Sequence, residues 1–148
     1  MAVTATPIFA QTPYAKSLTL AAQTACTTRA PTATASLAGA NITAFVPAST
    51  NGLRIDSIQV NNVGTGITTA NAAQLVGVWM WDGTTAFLIA EIPVIATTPS
   101  TTAAAFNTVF TFPQPLNLPA AFALYASTTV TTTAAGTALQ VTAYGGAY

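Results

Sequence analysis

The chain has 148 residues, 51% hydrophobic and only 4% charged, and its three basic and three acidic side chains cancel to a formal charge of zero. Typical soluble domains carry about 25% charged residues, so a chain this neutral has little repulsion to keep copies apart and is expected to associate. Clustered Lys or Arg, the requirement for phosphate-backbone binding, is missing. No apolar run approaches the roughly 20 residues of a membrane-spanning helix.

Residues 1–16 hold Pro7 and Pro13 without apolar periodicity and are expected to form an extended N-terminal arm, with Ile8 and Phe9 as its apolar anchors. They lack the basic start and sustained apolar stretch of a secretory signal. Residues 17–148 are expected to form a single domain. Alternation at 17–20 opens its first strand. The stretch 21–39 is rich in Ala and Thr and contains Pro31. Alanine favours helix and threonine favours strand, so the stretch reads as loop with some strand. Its Cys26 is the single cysteine of the chain, read as a small packed side chain and not a reactive thiol.

A strand at 41–46 ends at Pro47, and Asn51-Gly52 marks a turn. The segment 53–60 begins with Leu53 and Ile55 on one face and then switches phase to Ile58 and Val60. Such a slip suits a β-bulge near Asp56-Ser57, or a strand buried on both sides.

The runs 74–81 and 84–92 flank Asp82-Gly83, a strong signal for a hairpin with a type I′ turn. A two-residue loop would set Trp81 opposite Thr84, Trp79 opposite Ala86 and Gly77 opposite Leu88. Neither side of this ribbon is polar, so both sides must be covered. One cover is the chain's own second sheet, and the other is a neighbouring subunit. Trp79, Trp81 and Phe87 are therefore candidate interface residues.

Residues 94–102 form a connection. A strand at 105–112 has Phe106, Phe110 and Phe112 in phase, and Pro113, Pro115 and Pro119 mark a turn-rich segment after it. Strands at 122–127 and 138–144 follow, and Gly145, Gly146, Ala147 and Tyr148 form the ending, with Tyr148 a further interface candidate. About eight short strands punctuated by turn signals imply an all-β, antiparallel, jelly-roll-like β-sandwich.

Histidine is absent, which removes the usual general base and the commonest metal ligand. Of the three acids, Asp82 belongs to a turn, and Asp56 with Glu91 is a weak catalytic pair. One cysteine without histidine leaves no conventional zinc site. No catalytic, cofactor-binding or metal-binding residue is expected, and the chain reads as a non-enzyme. Arg54 and Asp56 lie two apart on one strand face and are expected in a cross-strand or intersubunit ion pair. Gly64-Thr65-Gly66 lacks the lysine and following helix of a phosphate loop. The Asn41-Ile42-Thr43 sequon reads as chance in a Thr-rich chain. Trp79 and Trp81 share a face, which suits packing in a core or interface better than a sugar-stacking platform.

The run Pro99-Ser-Thr-Thr-Ala-Ala-Ala-Phe106, the segment 116–128, the ending 139–148, the opening Met1-Ala-Val-Thr-Ala-Thr-Pro7 and the hairpin at 78–83 occur in an order that resembles small virion structural proteins of tailed bacteriophages and prophages. In that family a leucine-proline turn leads into Leu-x-Ala-Ser-Thr, which Leu124 to Thr128 keep, whereas Ala147 departs from a charged residue often found near the terminal glycines. The resemblance implies a capsid decoration or cement protein on the virion exterior, made in the host cytoplasm. Its partners would be the major capsid protein or other virion proteins, and its own copies, most simply as a trimer. A tail or baseplate component and a carbohydrate-binding adhesion module are the alternatives.

Overall fold

The computed structural model describes residues 12–33, 41–134 and 136–148. Nine strands follow one another in these residues: β1 (Thr12–Leu20), β2 (Thr32–Ala33), β3 (Ile42–Val46), β4 (Leu53–Asn62), β5 (Gln74–Trp81), β6 (Thr85–Val94), β7 (Asn107–Leu118), β8 (Ala123–Thr128) and β9 (Leu139–Ala147). They form two sheets with orders β1-β9-β4-β7 and β2-β6-β5-β8-β3, and the neighbouring strands are antiparallel. The all-β class expected from the sequence is therefore present.

Alternation explains how the two sheets share one core. Ile58 and Val60 of β4 and Leu139 and Val141 of β9 turn inward to meet Val76 and Val78 of β5 and Leu124 of β8, all fully buried. Each such side chain contributes roughly 1.5–3 kcal/mol by leaving water.

The phase switch in β4 is resolved by the expected bulge. Ile55 lies opposite Gly145, yet Ser57 lies opposite Tyr144, so Asp56 is the extra residue. The insertion lets Leu53 and Ile55 on one side of it, and Ile58 and Val60 on the other, all face the core. It also drives the Arg54 carbonyl toward β9. A Cβ at Gly145 would sit 1.8 Å from that oxygen, so the close approach requires glycine.

Several boundaries differ from expectation. The first strand starts at Thr12 and pairs without interruption with β9, from Thr12 opposite Ala147 to Leu20 opposite Leu139. Residues 12–16 thus belong to the body and not to an arm, because β9 offers them a complete ladder. Ile8 and Phe9 lie outside the described residues. Pro113 and Pro115 fall inside β7 and not in a turn. This strand is at the edge of its sheet, where a missing N–H is tolerated. Its pairing with β4 passes from Thr111 to Leu116, leaving both prolines out of the ladder. The terminal glycines likewise continue β9.

The hairpin loop is longer than expected. Trp81 lies opposite Ala86 and Trp79 opposite Leu88, and a bulge then sets Val78 opposite Ala90. Gly83 has positive φ (101°) but Asp82 does not, so this is not a type I′ turn. The Asp82 carboxylate Oδ1 instead accepts from the backbone N–H groups of Thr84 (2.8 Å) and Thr85 (2.7 Å) and from the Thr84 hydroxyl. An Asx-type cap replaces the second left-handed residue. Gly52, with φ 84°, closes the turn before β4.

Candidate functional site

The segment between β1 and β2 crosses the outer face of the five-stranded sheet as a strap. It is tied at its start by Cys26 N–H to the Thr128 carbonyl (2.8 Å) and by reciprocal bonds between Gln23 and Thr132. Its end adds β2 to the edge of β6. Under it lies Trp79, 1% exposed, packed in a small cluster with Cys26, Ile42 and Ala86. The indole N–H donates to the Ser127 hydroxyl at 2.9 Å. Gly77 makes room for this pair, since a Cβ there would stand 2.6 Å from Ser127 Oγ and 3.0 Å from Trp79 Nε1.

This arrangement corrects the reading of the hairpin. The second apolar face of β5 is covered by the chain's own strap and not by a neighbouring subunit. Trp79 is thereby removed from the interface candidates, and its sealed ring offers no platform for a sugar. Trp81 is half-buried and meets Tyr125 edge to face, with ring centroids 6.2 Å apart. Phe87 remains 38% exposed near the hairpin end of β6.

Beside the strap is a cleft of about 170 Å³. Trp79, Leu88 and Gly77 line its apolar part. Arg29 and Glu91 stand at it as an ion pair, Nε to Oε1 2.7 Å, with side-chain exposures of 65% and 32%. The hydrogen-bonded Glu91 carboxylate holds the Arg29 guanidinium above its ordinary pKa. The hydroxyls of Thr28, Ser127 and Thr129 complete the cleft. Each of these oxygens accepts from an N–H: Ala30 N to Thr28, Trp79 Nε1 to Ser127, and Leu75 N to Thr129. No hydrogen bond donated by these three hydroxyls occurs among the described residues.

The outer face of the four-stranded sheet has a different character. Ser17 and Thr142 share a hydroxyl contact at 2.9 Å, Gln59 donates to Asn107 at 3.0 Å, and the Tyr144 hydroxyl donates to Gln59 at 2.9 Å. Val109, opposite Gln59 in the ladder, is 57% exposed, and Tyr144 is 41% exposed. Arg54 and Asp56 pair with each other across the bulge, Nε to Oδ1 2.8 Å. That bond joins two residues of one strand, where a cross-strand or intersubunit pair was expected, because the bulge brings the side chains together. Tyr148 donates its hydroxyl to Asn117 at 2.8 Å.

Asp56 and Glu91 are not brought together: they lie in different sheets, each with its own arginine. No group of three or more potential metal ligands occurs among the described residues. The cleft was not foreseen from the sequence, since its polar groups come from the Ala/Thr-rich stretch and a strand end. The one signal was scarcity: Arg29 and Glu91 are two of only six charged residues. Comparison with protein-family models, with curated proteins and with solved structures found no match to this chain.

Proposed function

We propose that the chain is a non-enzymatic structural protein of a bacteriophage virion, a capsid decoration or cement protein that bridges capsid subunits. The observation that carries this reading is the outer face of the β1-β9-β4-β7 sheet. It presents hydroxyls, amides, Tyr144 and Val109, and its charged pair Arg54–Asp56 is already neutralised. Docking on such a face avoids the several kcal/mol that desolvating an unpaired ion costs. Nine residues at about 3.3 Å and four strands at about 4.8 Å give roughly 30 by 19 Å, or about 600 Å² in projection. That approaches the roughly 800 Å² that each partner contributes to a standard stable interface.

The strand order lends further support. With the two-residue β2 set aside, the eight long strands lie in the orders first-eighth-third-sixth and second-seventh-fourth-fifth. We read this as a jelly roll, a wrap common to viral capsid and lectin domains. A wrap of this kind serves many functions, so the weight rests on the face. The partners in this reading are the major capsid protein or other virion proteins, together with further copies of the chain, a trimer being the simplest assembly.

Two measurements test the proposal. Sedimentation velocity of the purified chain should show a discrete oligomer at micromolar concentration, and immunogold electron microscopy of particles from cells expressing it should label the capsid surface. A stable monomer that is absent from purified particles would refute the reading. Gold confined to tails would replace decoration by a tail role.

A further inference from the structure

We propose that the cleft beside the strap is a binding site for a single neutral pyranose residue, the terminal sugar of a glycan. The chemistry of its walls selects this class. Thr28, Ser127 and Thr129 each accept one N–H, which leaves each hydroxyl its proton to donate and a second lone pair to accept. Arg29 uses Nε for Glu91, which leaves the two terminal nitrogens of its guanidinium to donate. Glu91 supplies the acceptor, through its second carboxylate oxygen. A ligand that satisfies this set must accept several hydrogen bonds and donate at least one from neighbouring atoms, and the vicinal hydroxyls of a sugar do both.

Two further features separate a sugar from a simple anion. The charge of Arg29 is cancelled by Glu91 at 2.7 Å, so an anion gains no net attraction. Leu88 and Gly77 give the lining an apolar part, which suits the C–H face of a pyranose and offers nothing to a carboxylate or phosphate. Size sets the limit of one residue. At about 170 Å³ the cleft is smaller than the roughly 300–1,000 Å³ of pockets for drug-sized ligands, which suits one six-membered ring. The mode differs from ring stacking on paired tryptophans, since Trp79 is sealed beneath the strap.

The test is saturation-transfer NMR on the full chain with the methyl glycosides of glucose, galactose, mannose and N-acetylglucosamine at tens of millimolar. Sodium acetate and inorganic phosphate serve as competitors. At least one glycoside is expected to receive saturation, to be undisturbed by either anion, and to bind at least about tenfold more weakly in Glu91→Gln and in Thr28→Val. Both substitutions lie at exposed or half-exposed positions, so thermal melts should show both variants folded. Absence of transfer to all four glycosides overturns the proposal. Transfer that persists equally in both folded variants, or displacement by acetate or phosphate, overturns it as well.

Discussion

Gly145→Ala is the sharpest probe of the bulge that organises the four-stranded sheet. The added Cβ would stand 1.8 Å from the Arg54 carbonyl oxygen, 2.8 Å from its carbon and 2.9 Å from Ile55 Cα. All three are backbone atoms, so no rotamer change relieves the clash. Carbon approaches a carbonyl oxygen to about 3.3 Å, so β4 and β9 must separate locally by about 1.5 Å. A ladder bond of about 2.9 Å stretched that far ceases to be a hydrogen bond. Losing two such bonds costs about 1–3 kcal/mol, and the overpacking adds about 1–3 kcal/mol. The expected loss of roughly 2–6 kcal/mol is a large share of a typical stability of about 5–15 kcal/mol, and should lower Tm by about 4–24 °C for a chain of this size. Gly136→Ala is the control, because its Cβ would meet only the Thr133 hydroxyl at 3.4 Å. Calorimetric or circular-dichroism melts of both variants decide the matter. A Gly145→Ala protein that melts within about 2 °C of wild type would refute the close approach and the bulge register together.

Ser127→Ala should cost about 1–3 kcal/mol by leaving the buried Trp79 N–H without its acceptor, measured by urea unfolding; an unchanged midpoint would contradict that bond. Asp82 is held below its ordinary value of 3.8 by hydrogen bonds from Thr85 and Thr84, so its stabilising effect is complete above that value and fades as pH falls through the lower folded-state value. Melts between neutral and strongly acidic pH should show a smaller acid-induced drop for Asp82→Asn than for wild type, and identical slopes would count against the cap. Deleting residues 1–16 should lower Tm sharply below that of a chain lacking only residues 1–11, because residues 12–16 pair with β9; equal melts for the two truncations would refute the strand boundary.

The β4 phase change was legible because the residues on both sides of it are large and apolar, which left an inserted residue or a strand buried on both sides, and the bulge is the one present. The hairpin was legible in outline and not in register. Its loop is lengthened by a side chain, Asp82, that captures Thr84 and Thr85. The second slip, between Val78 and Trp79, leaves no trace in sequence, because β5 is apolar on both faces and a one-residue shift preserves the pattern. Pro113 and Pro115 read as turn residues because nothing local says that β7 is an edge. The cleft was the least legible part. Arg29 and Glu91 are 62 positions apart, and a strap of Ala and Thr carries no periodicity that announces which surface it will cover.

The strap also changes where association can occur. The apolar excess of the hairpin is satisfied within the chain, so it no longer argues for a partner. Edge-to-edge pairing is opposed at both ends of the four-stranded sheet. On β7 the ladder is interrupted by a stretch holding two prolines. On β1 the exposed Lys16 pairs with fully buried Ala143 and so shares the core-side face at the rim of the sheet. An inward-pointing lysine on an edge strand disfavours an added strand, which would have to cover its charge. Among the described residues, with one sheet face covered and the edges of the four-stranded sheet guarded, a broad surface open to a partner is the neutral face bearing Tyr144 and Val109. The bridging proposed for this chain therefore runs through face-to-face burial and not through exchange of strands.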